Sequence, residues 1–461
     1  MFSVNVSGDD KPKSSLATAS ESMDVSSVSH WIGVGAVALA SILWAEIVRD
    51  VRHWLAHRWP WLMPKHILHH RLFRPDLSVV DAQLYRESQW HHDVPEAATM
   101  ILAGIPWVVV LGQGSLLYGL AATVGVVYSA SFWVAGMLRG WGLALQTDIT
   151  HQPGPFPVPP SQWHVNRAYH WRHHFDDTNA YFCGTLTLVD RLMGTSLSLK
   201  GKRVAVTGAS GTLGRALLKH FHQQGAKVIA LSSHSDSVHI EVDGQIQPVE
   251  TVRWQVGQEG SLAELLERVD ILVLNHGLNV HRQRDPESVR QSYAVNTFSS
   301  WRLMELFFQT VRGNPEMATK EVWVNTSEAE ASPAFSPLYE LSKRALGDLV
   351  TLRRLDAPCV VRKLILGPFK SQLNPIGVMS GDWVAAQILA QAKRDCRNII
   401  VTINPLTYLL FPLKELAVST YFRLFSRRSP RTPSREREQP GIPAPNPDPA
   451  GGAESGDLPL V

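Results

Sequence analysis

The chain has 461 residues, which is enough for two or three domains, and it combines very apolar stretches with very polar ends. Its formal net charge of +3 is too small to indicate nucleic acid as a partner, and no basic stripe is interleaved with aromatic residues as such binding requires. Three widely spaced cysteines without a CxxC pair indicate a reducing compartment and no disulfide framework.

Both ends of the chain have the composition of disordered tails. Residues 1–24 are polar, rich in serine and without periodicity, and residues 429–461 are rich in proline, arginine, serine and glycine. We therefore predict two disordered tails around a folded region.

Two long uncharged runs follow the first tail. Val25 to Ala45 has no charged residue, and neither has Ala97 to Leu138, which is interrupted at Gly112-Gln113-Gly114-Ser115. The second run has two arms of about 20 residues, enough for a hairpin across the bilayer. Arginines and lysines flank the histidine-rich segments that lie next to these runs, so the positive-inside rule predicts that these segments are on the cytoplasmic face of a membrane.

Histidines recur at helical spacing in the first 174 residues. The pattern comprises the pair His53 and His57, the triple His66, His69 and His70, and the triple His170, His173 and His174. Positions i, i+3 and i+4 share one helix face, so each group can aim its imidazoles into one space, as in a transition-metal site. A single histidine is more often a core residue, but three such groups are hard to explain in that way.

Four further histidines are candidate ligands: His91, His92, His151 and His164. The sequence leaves open which of them bind metal.

The order of these histidines, followed by Asn179 and by Asp190-Arg191-x-x-Gly194-Thr195, resembles the fatty acid hydroxylase/sterol desaturase superfamily over residues 30–198. His92 and Glu96 are similar to that family's His-x-x-x-Glu step before the hairpin. The resemblance implies an all-α integral-membrane domain with two Fe ions, O2 as co-substrate, a lipid substrate and an external electron donor of the ferredoxin or cytochrome b5 type. Hydroxylation and desaturation both remain open. The implied metal ligands are His53, His57, His66, His69, His70, His92, His151, His170, His173 and His174.

A glycine-rich turn begins the second half of the chain. The buried-strand pattern Arg203–Val206 runs into Thr207-Gly208-x-x-Gly211-x-x-Gly214 and then into an amphipathic helix, the first unit of a dinucleotide-binding fold. The second strand ends at Ser232 without the carboxylate that would bind the ribose of NAD, so NADP(H) is favoured and NAD(H) remains open. The candidate cofactor-binding residues are Thr207, Gly208, Ser210, Gly211, Leu213, Gly214, Ser232, Asn275 and Gly277.

The candidate catalytic residues follow in the order Asn296, Ser327, Tyr339 and Lys343. Tyr339 and Lys343 lie one helical turn apart, so the ammonium can lower the pKa of the phenol that exchanges a proton with a carbinol or carbonyl oxygen. Residues 200–400 resemble the short-chain dehydrogenase/reductase family, although the Ser327–Tyr339 spacing is one residue shorter than usual and Glu328 occupies the next position. The resemblance implies an α/β Rossmann-type domain with a doubly wound parallel sheet.

An apolar, aromatic segment from Asn404 to Phe425 contains Pro412, Lys414 and Glu415, so we predict that it lies in the membrane interface rather than spanning the bilayer. The predicted division of the chain is a tail (1–24), a membrane domain (25–198), a dehydrogenase-like domain (199–402), an interfacial helix (403–428) and a second tail (429–461).

The resulting hypothesis is a membrane-bound oxidoreductase that hydroxylates or desaturates a sterol, fatty acyl or isoprenoid lipid with O2 and then oxidises or reduces the product with NAD(P). Fusion of the two halves would shorten the transfer of that product. The alternatives are an oxygenase with a non-catalytic Rossmann cap, a membrane-tethered dehydrogenase, and a nucleotide-sensing scaffold.

Overall fold

The computed structural model describes residues 25–144, 148–234, 236–333 and 335–427. Both predicted tails lie outside these residues. The first part of the described chain is helical: α1 Val25–Ala56, α2 Met63–Arg71, α3 Ala82–Ser88, α4 Val94–Gly114, α5 Leu116–Gly140, α6 Arg167–Phe175 and α7 Leu188–Met193.

The second part alternates strands and helices. The strands are β1 Arg203–Thr207, β2 Lys227–Ser232, β3 Val238–Val242, β4 Gln245–Arg253, β5 Ile271–Leu274, β6 Glu321–Asn325, β7 Val360–Leu366 and β8 Asn398–Val401. The helices are α8 Thr212–Gln223, α9 Ala263–Glu267, α10 Pro286–Tyr293, α11 Ser300–Phe308, α12 Asn314–Thr319, α13 Pro337–Arg354, α14 Gly381–Lys393 and α15 Pro405–Phe425.

Three helical stretches have the length and apolar composition needed to cross a membrane: Val28–Ala56, Ala82–Gly114 and Leu116–Gly140. They contain the three apolar segments expected from the sequence, and the hairpin bends at the extended Ser115 between α4 and α5. The first helix continues eleven residues beyond Ala45 and therefore carries His53 on its last turns. The side of the membrane on which each end lies remains a prediction.

Small residues allow the long helices to pack closely. The backbone N–H of Gly125 on α5 donates to Ser41 Oγ on α1 at 2.9 Å, and a Cβ on Gly125 would collide with the backbone of Ser41. Gly112 and Gly119 face each other in the same way across the α4–α5 hairpin. Glycine and serine at such contacts are typical of helices that pack in lipid.

The second part is built on an eight-stranded sheet with the order β3-β4-β2-β1-β5-β6-β7-β8. All neighbouring strands in it are parallel except the β3–β4 pair at one edge. The central strands are short runs of buried valine, isoleucine and leucine, as expected when helices cover both faces of a parallel sheet. The prediction of a Rossmann-like domain after a helical region is confirmed.

The helical part contacts the amino-terminal edge of this sheet through buried charges. Arg172 of α6 donates to the carboxylate of Glu321, the first residue of β6, at 3.3 Å. Glu321 also accepts two hydrogen bonds from Arg362 at 2.8 and 2.9 Å, and Arg362 pairs with Asp395 at 2.8 Å. The four side chains are buried, so this network joins the two halves through the interior.

Candidate functional site

Five histidines form a first group at the end of the long helices: His53, His57, His66, His70 and His173. The Nε2 atom of His173 lies 2.9 Å from Nε2 of His53 and 3.1 Å from Nε2 of His57. The Nε2 atoms of His66 and His70 are 2.9 Å apart. Thus α1, α2 and α6 each direct ring nitrogens to one point.

A second group consists of His69, His151, His170 and His174, all buried. The Nε2 atoms of His151, His170 and His174 lie 2.9–3.1 Å from one another. Residues next to each other in the chain enter different groups because successive side chains of a helix point about 100° apart, so His69 belongs to the second group and His70 to the first.

The donor set fits transition-metal ions better than it fits hydrogen bonding among the rings. Burial lowers the pKa of His57 to about 4 and that of His70 to about 3, so both rings are neutral at pH 7. A neutral imidazole has one N–H, which cannot serve several nitrogens that meet at one point. Nitrogens about 2.1 Å from an ion lie about 3.0 Å apart in octahedral geometry and about 3.4 Å apart in tetrahedral geometry. The spacings of 2.9–3.1 Å within the two groups are close to the octahedral value.

Two rings in these groups are oriented by hydrogen bonds to Nδ1, the nitrogen that points away from the group. His173 Nδ1 lies 2.8 Å from the carbonyl oxygen of Ala180, to which it donates, so its Nε2 is left as an acceptor that faces the other rings of the group. His151 Nδ1 lies 2.7 Å from the carboxylate of Asp148. Such contacts orient metal-binding histidines and set the tautomer.

Of the remaining candidate ligands in the helical half, only His92 belongs to a further group of possible ligands. His92 belongs to a smaller group with His69 and Asp93, and its Nδ1 lies 3.3 Å from that of His66. His91 and His164 lie outside the three groups. Glu96 pairs with Arg52 at 3.4 Å.

Asp190 of the Asp-Arg-x-x-Gly-Thr motif is buried, and its hydrogen bonds connect parts of the fold. It accepts hydrogen bonds from Tyr169 Oη and from the backbone N–H groups of Phe182 and Cys183, each at 2.9 Å. The motif therefore holds the loop behind α6.

The glycine-rich turn adopts the geometry that a dinucleotide needs. Gly208 has φ +62°, and a Cβ on Gly214 would collide with the carbonyl oxygen of Gly208. Gly211 precedes α8 directly, so backbone N–H groups at the start of this helix are free to face a pyrophosphate. Thr207 Oγ1 accepts from Asn275 N at 2.8 Å, which fixes the loop after β5 beside this turn.

The other predicted cofactor-binding residues lie around the glycine-rich turn, at the carboxyl ends of the strands. Ser210 Oγ accepts a hydrogen bond from Ser232 Oγ at 3.4 Å, and Leu213 is buried under the turn. A Cβ on Gly277 would lie 3.3 Å from Asn296 Oδ1 and 3.8 Å from Lys343 Nζ, so glycine keeps this approach open.

The four candidate catalytic residues are brought together at the carboxyl end of β6. Ser327 hydrogen-bonds the Tyr339 phenol, which partly offsets the rise in the pKa of Tyr339 caused by burial. Lys343 Nζ donates to the carbonyl oxygen of Asn325 at 2.8 Å and lies 5.9 Å from the Tyr339 ring. Burial lowers the pKa of Lys343 to about 8. The shorter Ser327–Tyr339 spacing therefore does not separate the two hydroxyls.

Asn296 lies in a π-helical turn at Ala294–Ser299. Its side chain accepts from Leu278 N at 2.7 Å and donates to Ser342 Oγ at 3.0 Å, so it ties the loop after β5 to α13.

Two side chains of this site were not singled out from the sequence. Glu328 accepts from Thr402 Oγ1 at 2.6 Å and from Thr407 Oγ1 at 3.3 Å, and so anchors the start of α15 beside Ser327. His276 Nδ1 lies 2.8 Å from Thr207 Oγ1, and burial lowers the pKa of His276 to about 3. The position of Glu328 directly after Ser327, a departure from the family pattern, was the only signal noted in the sequence.

The histidine groups and the dinucleotide turn lie at opposite edges of the sheet. Arg172 lies between two histidines of α6 and contacts Glu321 at the start of β6, whereas Ser327 follows the end of that strand. A five-residue strand spans about 16 Å, so about the length of β6 separates the two sites.

Comparison with known proteins identifies relatives of the Rossmann half and of most of the chain. A family model described as short chain dehydrogenase matches residues 202–358. The monoglucosyldiacylglycerol epimerase of Synechocystis sp. is 58% identical over 407 residues, which cover 87% of this chain and 99% of that protein. The chain belongs to the monoglucosyldiacylglycerol epimerase family.

Two more distant likenesses cover half of the chain or less. The uncharacterized oxidoreductase YhxC of Bacillus subtilis is 24% identical over 201 residues, covering 40% of this chain and 70% of that protein. A short chain dehydrogenase structure from Burkholderia cenocepacia in complex with NADP has 20% identity and a TM-score of 0.40, covering 50% of this chain and all of its own. The epimerase alignment, at 407 residues, is longer than either half and therefore includes the histidine half as well.

Proposed function

We propose that this chain inverts one carbinol centre in the sugar headgroup of monoglucosyldiacylglycerol. The observation that carries the proposal is the 58% identity to the Synechocystis epimerase over nearly that protein's whole length. The assembled Ser327, Tyr339 and Lys343 support it, because they are suited to moving a proton at a carbinol oxygen.

Inversion at a carbinol by hydride transfer breaks its C–H bond and forms it again on the other face. When bound, NAD(P) supplies the acceptor and then the donor of a hydride. Tyr339 removes the hydroxyl proton as the hydride leaves, and Ser327 donates a hydrogen bond to the same oxygen. Lys343 is protonated below pH about 8 and favours the ionised phenol. The result of this first half-reaction is a planar ketone in the sugar ring.

The second half-reaction returns both groups. After the ring turned over in the site, its opposite face would be presented for return of the hydride, and Tyr339 would give its proton back to the oxygen. The electrons balance within one turnover, so the reaction needs neither O2 nor an external electron donor.

The test is to incubate the full-length protein in mild detergent with monoglucosyldiacylglycerol and NADP⁺ under nitrogen, and to separate the epimeric lipids by chromatography. We expect the epimer to form without O2, and to be lost in Tyr339→Phe. Tyr421→Phe, at an exposed tyrosine of α15, is the matched control. Absence of conversion, or an active Tyr339→Phe variant, would contradict the proposal.

A second candidate function rests on the histidine groups. Nine ring nitrogens converge on two points next to helices long enough to cross a membrane. We propose that these residues hold two metal ions, and the resemblance to the hydroxylase/desaturase superfamily favours iron and an O2-dependent oxidation of a lipid C–H bond. An external electron donor would then be required.

Metal content and O2 uptake separate this candidate from the first. We expect about two irons per chain, and lipid-dependent O2 uptake once a ferredoxin or cytochrome b5 type donor is supplied. Zinc in place of iron, or no lipid-dependent O2 uptake with the donor present, would remove the oxygenase proposal and leave the epimerase proposal untouched.

A further inference from the structure

The polarity of α15 is inverted relative to an ordinary surface helix. Its two central charged side chains point into the domain: Lys414 pairs with Glu330 at 2.9 Å and Asp348 at 2.7 Å. Glu415 pairs with the buried Lys363 at 2.9 Å and with Arg354 at 3.2 Å. The charged residues expected on the solvent side are therefore used to attach the helix.

The opposite face of α15 carries large apolar side chains. Five large side chains on it are between 57% and 73% exposed: Leu406, Leu409, Leu413, Leu416 and Leu424. Their spacing of three or four residues from Leu406 to Leu416 forms one stripe on the helix, and Leu424, eight residues further along, lies on the same face. An exposed apolar stripe of this kind marks an interaction surface.

The stripe begins beside the dinucleotide site. Thr407 in the first turn of α15 donates to Glu328, the residue after Ser327. The loops that follow β6 and β7 at this edge also expose apolar side chains, with Phe335 97% and Ile376 89% exposed. Apolar side chains are thus exposed both on α15 and on the loops at the edge of the sheet where the dinucleotide site opens.

The other end of α15 extends toward the half that contains the long helices. Glu415 contacts Arg354, which also donates to Asn398 at the amino-terminal edge of the sheet. The ten residues that follow Glu415 extend α15 about 15 Å beyond this level. They include the exposed Arg423, and Arg427 follows the helix end.

We propose that the outer face of α15 lies on a lipid bilayer, so that the Rossmann domain rests on this helix with the mouth of its dinucleotide site at the lipid surface. The long apolar helices of the same chain bring a bilayer within reach, and the arginines at the end of α15 complement anionic lipid headgroups. If the proposed function is correct, the acyl chains of the substrate stay in the bilayer while its sugar reaches Tyr339. The membrane contact itself does not depend on that function.

The test uses a fluorescent reporter on the full chain in nanodiscs of phosphatidylcholine and phosphatidylglycerol. In a Cys396→Ser background, Leu413→Cys or Leu416→Cys is labelled with bimane, because Cys183 and Cys359 are buried. Ile246→Cys is the matched control: Ile246 is a 74% exposed apolar residue on β4, near the other edge of the sheet. The quencher is phosphatidylcholine with a nitroxide on its acyl chain.

We expect quenching at positions 413 and 416 to exceed that at 246 by about threefold or more, as for side chains buried 5–10 Å into the interface. Equal quenching at the three positions would overturn the proposal. So would a short distance between spin labels at position 413 of two chains, because the face would then be covered by a second copy. Neither result depends on catalysis, so failure of the membrane contact is distinct from failure of the proposed function.

Discussion

Replacing Glu321 by glutamine tests whether the buried charges join the two halves of the chain. The side chain is fully buried between Arg172 and Arg362. Burial opposes its ionisation, but the two arginines outweigh burial and lower the pKa of Glu321 from 4.5 to about 2. A shift of that size corresponds to about 3 kcal/mol, in line with about 3–5 kcal/mol for breaking a buried ion pair.

The assay is thermal unfolding of the purified protein, followed by tryptophan fluorescence. For a domain of this size, about 3 kcal/mol lowers the unfolding midpoint by roughly 6–12 °C. Glu305→Gln is the matched control, because Glu305 pairs with Arg353 at partly exposed positions and such pairs contribute about 0–1 kcal/mol. A Glu321→Gln midpoint no lower than that of the control would show that the buried ion pairs do not stabilise the fold.

The same pKa fixes the dependence of stability on pH. A carboxyl group whose pKa is lower in the folded state than in the unfolded state stabilises the fold above its unfolded pKa. The contribution of Glu321 is therefore fully present above pH about 4.5 and is lost as the pH falls toward about 2. The unfolding midpoint of the wild-type protein should therefore fall as the pH is lowered over this interval. The midpoint of Glu321→Gln should fall by less.

Three further results are expected. Asp148→Asn should weaken metal binding by about 10–100-fold, because it removes the contact that orients His151. Asp76→Asn, in an exposed loop, should leave metal binding unchanged. Metal titration of both variants measures the difference. Metal content should fall in His173→Ala and stay unchanged in His91→Ala, and the reverse would contradict the assignment of the histidine groups. The rate of hydride transfer should fall as the pH rises through about 8, where Lys343 loses its proton, and this dependence should vanish in Lys343→Met; a wild-type rate that is flat from pH 7 to 9 would contradict the role of Lys343.

Local sequence patterns predicted the elements that depend on near neighbours. The turn from Thr207 to Gly214 and the buried run of β1 are decided by backbone conformation and side-chain period, which a short stretch of sequence displays. The hairpin of apolar helices bends at Ser115, where the uncharged run was interrupted by small and polar residues. The spacing of the histidines likewise indicated shared helix faces.

What the sequence did not show depends on contacts between distant residues. Periodicity alone did not divide the histidines into two groups, because His69 and His70 are neighbours in the chain and separate only when α2 meets α6 and the loop that carries His151. The anchoring role of Glu328 requires Thr402, 74 residues away. The attachment of the helical half to the amino-terminal edge of the sheet follows from Arg172 and Glu321, which are separated by 149 residues.

The most direct test of inversion through a ketone at the Rossmann site is the source of hydrogen at the inverted carbon. The reaction is run in D2O with unlabelled monoglucosyldiacylglycerol and NADP⁺, and the epimeric headgroup is examined by mass spectrometry and NMR. A hydride that leaves and returns does not exchange with solvent, so we predict product without deuterium on any ring carbon. One deuterium at the inverted carbon would show that a proton is removed from carbon instead, and would contradict the account.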